Sequence, residues 1–182
     1  MTITPGWALY YKLISGLMPR AWLTGREVCE MGEAIWKPHA TVAALAERDG
    51  RFLLVKENVD DRIVFNQPAG HLEPGETLLE AVVRETLEET RYQFIPQALQ
   101  GVYRYQPDES SPQTYLRFLF RGVVGDLVDG DLDQGIIAAE WFTYAQLLSC
   151  REQHRSPMVL QCIEDFRQCP GYPLDIISQE FA

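Results

Sequence analysis

The chain has few of the residues that build zinc sites and disulfide frameworks. Its 182 residues include only four cysteines and three histidines. The cysteines form no C-x-x-C pair, and the histidines lie far apart in the sequence. This scarcity argues against a zinc site and predicts reduced, structural thiols in a cytoplasmic protein.

Basic residues are also scarce relative to acidic ones. The chain has 16 lysines and arginines against 26 aspartates and glutamates, which gives a net charge of −10 at pH 7. A protein that binds polymeric nucleic acid favours a basic face, so we expect no such partner. Small phosphorylated metabolites and nucleotides remain compatible with this charge, because bound metal ions supply the local positive charge.

Long hydrophobic runs are missing as well. The first thirty residues are apolar and aromatic, but Lys12, Pro19 and Arg20 interrupt them. No run reaches the roughly 18 apolar residues of a membrane-spanning helix. A basic segment followed by an apolar stretch and a small-residue cleavage site is also missing. The sequence therefore predicts neither a membrane partner nor a signal peptide.

The chain is expected to form one domain, residues 31–182, preceded by an N-terminal extension, residues 1–30. At 46% hydrophobic, the chain can build one sizeable core. Three interpretations of the extension stay open: a packing arm, a weak interfacial helix, or an artefact of start-site choice. The third is favoured, because Met31 stands just before the region with a recognisable pattern.

The most informative segment is residues 70–92, GHLEPGETLLEAVVRETLEETRY, which predicts a helix from about Thr77 to Thr90. Glu85, Glu88 and Glu89 fall within about 100° of one another around this helix. These like charges repel, and Mg²⁺ or Mn²⁺ would remove the penalty by binding carboxylate oxygens. Periodicity alone is equally compatible with a solvated acidic face. A second face, roughly 120° around the helix from Glu85, is predicted to pack on the core through Leu79, Val82, Val83, Thr86 and Thr90.

The same segment resembles the Nudix hydrolase family. The box of that family reads Gly, five residues, Glu, seven residues, then Arg-Glu-U-x-Glu-Glu-x-Gly-U, where U is apolar. The chain supplies six of these residues at the required spacings, namely Gly70, Glu76, Arg84, Glu85, Glu88 and Glu89. Thr86 departs mildly from the pattern. Arg91 replaces the glycine that commonly ends the helix with positive φ, which predicts a strained or differently shaped helix end.

Further segments resemble one bacterial branch of the family, the NudJ-type phosphatases. They are WKPH at 36–39, NQPAGHLE at 66–73, LRFLF at 116–120, RSP at 155–157 and YPL at 172–174. The resemblance implies removal of phosphate from nucleoside tri- and diphosphates and from thiamine-pathway pyrophosphates. Two alternatives remain. The first is a pyrophosphatase for ADP-ribose or another nucleoside-diphosphate compound. The second is a catalytically silent Nudix-fold protein with a nucleotide-binding or regulatory role.

The pattern of apolar residues and turns predicts an α/β protein. We expect strands at 39–47, 51–57, 99–105 and 114–124, a strand closed by Trp141 and Phe142, and helices at 144–150 and 157–168. Asp49-Gly50 predicts a hairpin between the first two strands. Strands mixed with helices give the class, and the resemblance implies a Nudix-type α/β/α sandwich with a mixed sheet.

The resemblance also implies a catalytic metal site. Glu88 and Glu89 are expected to be metal ligands, and the carbonyl of Ala69 or Gly70 is a further candidate. Glu85 is expected to be either a third ligand or the base that orients water. The implied ion is Mg²⁺, with Mn²⁺ as the alternative.

Other charged residues are expected to support this site. Arg84 is predicted to orient carboxylates through bidentate contacts, and Glu76 to have a similar supporting role. Many family members place another acidic residue on a late loop, and the equivalent position here is Gly135. Asp133 and Glu140 are shifted from that position, which leaves the additional ligand or base open.

Four residues are candidates for binding the substrate. Arg117 is predicted to reach a phosphate, with an outward-facing strand residue as the alternative. Phe65 is predicted to stack on a base, or else to lie in the core. His71 is predicted to contact phosphate, with an ordinary loop histidine as the alternative. Arg155 is predicted to face the cleft, with capping of a helix start as the alternative. We expect a monomer or a homodimer.

Overall fold

The computed structural model of the chain describes residues 36–178. The strands are β1 (His39–Arg48), β2 (Arg51–Val59), β3 (Arg62–Asn66), β4 (Ala69–His71), β5 (Tyr92–Tyr105), β6 (Tyr115–Leu127) and β7 (Ile136–Thr143). The helices are α1 (Leu78–Thr90), α2 (Tyr144–Ser149) and α3 (Met158–Gln168). In this range, no helix has the length and apolarity needed to cross a bilayer. The expectations for residues 1–30 lie outside the described residues.

The strands form one mixed sheet around β1. The main order is β3-β2-β1-β6-β5, with β4 paired to β1 and β7 paired to β2. β1 and β6 run parallel, and the other pairs are antiparallel. The predicted hairpin is confirmed, because Arg48 pairs with Arg51 across the Asp49-Gly50 turn. The presence of both parallel and antiparallel pairs confirms the predicted mixed sheet.

Helices cover both faces of this sheet. The middle of β1, Thr41–Ala46, is buried throughout, and successive side chains of a strand point to opposite faces. One face packs against α1 in a cluster that includes Val42, Ala44, Ala81 and Val82. The other face packs against α2 and α3 in a cluster that includes Ala43, Leu45, Leu147 and Val159. These two apolar clusters produce the predicted α/β/α sandwich.

Helix α1 begins with a capping box. The Thr77 hydroxyl accepts a hydrogen bond from the Glu80 N–H at 3.2 Å, and the Glu80 carboxylate accepts one from the Thr77 N–H at 2.8 Å. These contacts satisfy two backbone donors that a helix start otherwise leaves unpaired. On the predicted core face, Val82, Thr86 and Thr90 are buried. The cap and the buried face together fix the direction of the acidic face.

Helix α1 ends at Arg91, which has a left-handed backbone. Its φ of 62° and ψ of 9° match the conformation that glycine usually adopts at this position. For a residue with a Cβ this conformation costs roughly 1–2 kcal/mol, which confirms the predicted strain. The Arg91 side chain donates to the Asp129 carbonyl at 2.8 Å, and the Val128 N–H donates to the Arg91 carbonyl at 2.8 Å. Arg91 therefore joins the helix end to the loop before β7.

Candidate active site

Arg84 donates hydrogen bonds to three acidic side chains, two on α1 and one just before it. Its Nε and Nη2 donate to the two carboxylate oxygens of Glu76 at 3.0 and 2.7 Å. Its Nη1 donates to Glu85 at 2.8 Å and to Glu88 at 3.1 Å, and its Nη2 also donates to the His71 carbonyl at 3.1 Å. Paired hydrogen bonds from a guanidinium fix both position and orientation. The bidentate contact predicted for Arg84 is present and is made to Glu76.

Glu89 is the most buried carboxylate of α1. Its side chain accepts a hydrogen bond from the Ala69 N–H at 2.8 Å, so it contacts the backbone of β4. Burial raises the pKa of Glu89 to about 8, and the negative charges of Glu57 and Glu85 act in the same direction. The Ala69 N–H and Arg155 oppose this shift. The carboxyl group is therefore able to exchange a proton near neutral pH.

Glu85 lies against Gly70, the first residue of the family box. A Cβ placed on Gly70 would overlap the Glu85 carboxylate. Burial raises the pKa of Glu85, and the hydrogen bond from Arg84 opposes this shift. Glycine is therefore required at position 70 by the close approach of a carboxylate to the backbone of β4.

The raised pKa of Glu89 predicts how the stability of the metal-free protein changes with pH. Between the ordinary carboxyl pKa of 4.5 and the folded value of about 8, the native state binds a proton that the unfolded chain releases. The free energy of unfolding should therefore fall as pH rises, by about 1 kcal/mol between pH 7 and 8. Denaturant unfolding in EDTA measures this change.

Between about pH 7 and 8, the effect of Glu89 on stability can be distinguished from that of the nearby histidines. Burial lowers the pKa of His71 and of His154 in the native protein, and their ordinary pKa of 6.5 leaves them mostly neutral in the unfolded chain, so their contribution to the slope is small. Glu89→Gln should remove most of the slope. A stability that is flat or rises between about pH 7 and 8 would contradict the assignment.

Glu57 is a further carboxylate of the site that the sequence analysis missed. It lies on β2, is 5% exposed, and forms an ion pair with Arg155. The pairing of β2 with β7 shifts register between Lys56 and Glu57, whose partners on β7 are Ala138 and Ile136, and such irregularities are common next to active sites. Glu57 stands between Lys56 and Asn58 at the polar end of β2, so the sequence gives no motif that marks it.

The donor chemistry of the site fits a divalent cation. Carboxylate and carbonyl oxygens are the ligands that Mg²⁺ and Mn²⁺ prefer. Within residues 36–178, however, no three acidic, histidine or cysteine side chains are already arranged around one ion position. Glu85 and Glu88 contact Arg84, and Glu89 contacts the backbone of β4. Ion binding therefore requires these carboxylates to exchange some of these contacts.

A cavity of about 240 Å³ lies beside β4. Ala69, Gly70 and His71 form part of its wall, and the same three-residue strand contacts the acidic residues of α1. The remaining wall is built by Thr41, Asn66, Tyr105, Tyr115, Arg117, Arg155, Ser156 and Met158. A substrate in this cavity would reach the carboxylates across β4.

Three of the four predicted substrate-binding residues line the cavity. Arg117 is 9% exposed, so it does not face outward from its strand. Arg155 is fixed by its backbone N–H, which donates to the Phe65 carbonyl at 2.9 Å, and by its ion pair with Glu57. His71 has a pKa lowered by burial and by the positive charges of His39 and Arg155. The structure therefore brings two cations and a neutral imidazole together.

Phe65 does not reach the cavity. Its side chain is buried in the core on the α2–α3 face, and its ring packs edge-to-face against Phe142 with 4.9 Å between the ring centroids. No face of the ring is free to stack on a base. The predicted stacking role is corrected, because the alternation of β3 directs this side chain into the core.

The late loop approaches the end of α1 through its backbone. The Asp133 N–H donates to the Glu88 carbonyl at 3.0 Å, while the Gly135 carbonyl accepts from the Asn58 N–H at 3.0 Å. Glu140 pairs with Leu54 within the sheet. Asp133 is therefore the acidic residue of this loop whose backbone contacts the acidic helix.

Comparison with known proteins gives a consistent result. Residues 36–162 match the family described as NUDIX domain. Phosphatase NudJ from Escherichia coli strain K12 is 34% identical over 149 residues, which cover 79% of this chain and 93% of that protein. The match covers most of the described residues and the whole acidic helix.

Solved structures show the same fold. A NUDIX hydrolase from Nitrosomonas europaea is 46% identical, with a TM-score of 0.75 over 79% of this chain and 97% of that chain. The NUDIX domain of Shewanella oneidensis NrtR, solved with ADP ribose, has a TM-score of 0.59 at 17% identity. That match covers 83% of this chain and 98% of the NrtR chain, and it supports the fold alone.

Proposed function

The chain belongs to the Nudix hydrolase family, and we propose that it is a Mg²⁺-dependent hydrolase that removes phosphate from nucleoside tri- and diphosphates and thiamine-pathway pyrophosphates. One observation carries the proposal: Glu85 and Glu89 meet β4 where Ala69 and Gly70 also line a cavity. The similarity to Phosphatase NudJ supports phosphate release. In this reaction water attacks phosphorus, and the phosphoanhydride bond breaks.

The acidic residues of α1 are proposed to hold the metal. Members of the family generally need a divalent metal ion, and bound Mg²⁺ stabilises charge on phosphoryl oxygens and acidifies a water molecule. We assign Glu88, Glu89 and the carbonyl of Ala69 or Gly70 as ligands. Arg84 links Glu88 to Glu85, so it positions the ligand set relative to the proposed base.

Glu85 is proposed to orient the attacking water and accept its proton. Its pKa is raised by burial, and a base is most effective when its pKa lies near the working pH. The 2.8 Å hydrogen bond from Arg84 holds one carboxylate oxygen. The other oxygen remains available for water, which is why we favour the base over a third metal ligand.

Arg155 and His71 are proposed to bind phosphate oxygens at the cavity. Arg155 keeps its position through Glu57 and the backbone of β3. A guanidinium held in this way offers charged donors without further loss of side-chain freedom. His71 offers a neutral ring, so it adds a hydrogen bond without adding charge. These contacts would orient the phosphate chain toward the acidic helix.

The cysteines of the described chain support a reducing compartment. Cys150, Cys162 and Cys169 are free thiols, and burial raises the pKa of Cys162 to about 12. A thiol with such a pKa is unreactive. We therefore propose a cytoplasmic location.

Phosphorus NMR tests the proposed function. Nucleoside triphosphate, nucleoside diphosphate, thiamine pyrophosphate and ADP-ribose are incubated with the protein in Mg²⁺ or in EDTA. We expect orthophosphate from the first three substrates, and only in Mg²⁺. AMP from ADP-ribose alone would replace the phosphatase by a nucleoside-diphosphate pyrophosphatase. Nucleotide binding without any product would indicate a catalytically silent protein.

A further inference from the structure

Gln67 has a buried amide that the proposed reaction does not use. It is 1% exposed and does not line the cavity, and the other large side chains buried to this degree in residues 36–178 are apolar. Its Nε2 donates to the Val159 carbonyl at 2.8 Å, while its Oε1 has no hydrogen-bond partner within the described range. An amide that is only half paired in the interior is unfavourable. Stability therefore does not explain a glutamine at this position.

The hydrogen bond from Gln67 joins the two segments that carry the site. Two residues after Gln67, the Ala69 N–H donates to the Glu89 carboxylate at 2.8 Å. Four residues before Val159, Arg155 lines the cavity. Val159 lies in the first turn of α3, and it is 92 positions from Gln67 in the sequence. The bond therefore attaches the start of α3 to the chain that leads into β4.

A second hydrogen bond attaches the same two segments. The Arg155 N–H donates to the Phe65 carbonyl at 2.9 Å, and His154 pairs with Phe65 in a parallel bridge. Phe65 and Gln67 are at most about 7 Å apart along the chain. One point of attachment would let the start of α3 pivot, whereas two points fix its angle. Gln67 therefore helps to fix the direction from which Arg155 faces the cavity.

We propose that Gln67 is a positioning residue, which holds Arg155 at the distance and angle from the acidic helix that the reaction needs. Gln67 does not contact the substrate and acts through Arg155. If the start of α3 shifts, Arg155 still binds phosphate, but the phosphorus atom no longer lies opposite the carboxylates of α1. The loss then falls on the chemical step and not on binding. The inference rests on the proposed function, since it concerns the same phosphate contact.

Gln67→Met tests the proposal. Methionine has a similar length and no donor, so it removes the bond to Val159 and fills the same space. We expect kcat for a nucleoside triphosphate to fall roughly 10- to 30-fold, with KM within about 3-fold of the wild-type value. The thermal midpoint should stay the same or rise, because an unpaired oxygen leaves the core. Wild-type kcat, or a loss confined to KM, would overturn the proposal.

Gln100→Met is the matched control. Gln100 is 4% exposed, and its Nε2 donates at 3.4 Å to the carbonyl of Cys169, just beyond the other end of α3. Gln100 does not line the cavity, so this variant should keep wild-type kcat and KM. An equal loss of kcat in the two variants would indicate a general effect of removing a buried amide and would overturn the assignment.

Gln67→Leu covers the case in which the methionine variant does not fold. Leucine also lacks a donor, so it should give the same fall in kcat with little change in KM. If neither variant folds, Gln67 serves stability alone and the proposal fails.

A double-mutant cycle tests whether Gln67 acts through Arg155. Arg155→Met should lower kcat at least as much as Gln67→Met does, and it should also raise KM, because it removes the proposed phosphate contact. In that background, Gln67→Met should lower kcat by less than about 2-fold, since the group that it positions is gone. A further loss of about 10-fold in the double variant would mean that Gln67 acts independently of Arg155, and would refute the proposal.

Hydrogen exchange followed by NMR separates this inference from the proposed reaction. In Gln67→Met without substrate, the Arg155 N–H should exchange about 10-fold faster than in the wild type, because one of two attachments is lost. The Tyr172 N–H, which donates to the Leu99 carbonyl at 2.7 Å, should exchange at the wild-type rate. This result would hold even if none of the phosphorylated substrates were hydrolysed. Unchanged exchange at Arg155 would show that Gln67 does not hold this segment, and the proposal would fail.

Discussion

Replacing Glu89 by glutamine should abolish phosphate release and leave the protein folded. The amide is nearly the same size as the carboxyl group, and its oxygen can still accept the hydrogen bond from the Ala69 N–H. It removes a negative charge that we propose binds the metal. Loss of several kcal/mol of transition-state stabilisation corresponds to a fall in kcat of at least about 10³-fold. Orthophosphate release in saturating Mg²⁺ measures the change.

Glu152→Gln is the matched control for this substitution. Glu152 has a side chain that is 88% exposed and pairs only with the neighbouring Arg151. An exposed pair of this kind contributes little to stability, so the control should keep both rate and stability. Wild-type turnover by folded Glu89→Gln would remove Glu89 from the metal site. Unaltered Mg²⁺ affinity in the variant would do the same.

Replacing Gly70 by alanine should lower kcat by about 100-fold, because a displacement of about 1 Å in an active site has an effect of this size. The added methyl group would overlap the Glu85 carboxylate. Glu85 or β4 must then move, and both border the proposed reaction centre. Single-turnover kinetics should locate the defect in the chemical step.

Gly125→Ala provides the control for the added methyl group. At Gly125 the nearest atoms would lie 3.8 Å from a new Cβ, which is an ordinary contact distance. This variant should therefore have wild-type kinetics. The steric account fails if Gly70→Ala retains full kcat, or if Gly125→Ala loses as much activity.

Much of the fold follows from local signals in the sequence. The Asp49-Gly50 turn predicts the first hairpin, and the apolar face of α1 predicts the side that packs on the core. The expected helix from Thr77 to Thr90 agrees with α1 to within one residue at its start. The long strand β5 begins at Tyr92, well before the expected position near 99. Pro96 lies in a part of β5 with irregular pairing, which masks the periodicity of its first half.

The grouping of the acidic residues follows from sequence spacing, whereas the grouping of the cavity residues does not, although three of them were named as candidates. Glu85, Glu88 and Glu89 lie on one helix, so their proximity follows from helix geometry. Thr41 and Arg117 are 76 residues apart and meet only through parallel pairing of β1 and β6. Glu57 likewise comes near Glu89, whose pKa its charge raises, only through the tertiary fold. Sequence spacing contains no information about such distant pairs, and the family box does not extend to them.

Arg91 has a consequence for recognising relatives of this chain from their sequences. Its guanidinium lies over Gly130, whose φ of 144° suits glycine. The family box of this chain therefore lacks its usual glycine at position 91. Glycine is needed instead 39 positions later, at Gly130, because a side chain there would overlap the Arg91 guanidinium. A pattern that insists on glycine at position 91 would reject this protein, although its six other diagnostic residues are intact. Searches that allow arginine there together with a later glycine should recover chains built in the same way.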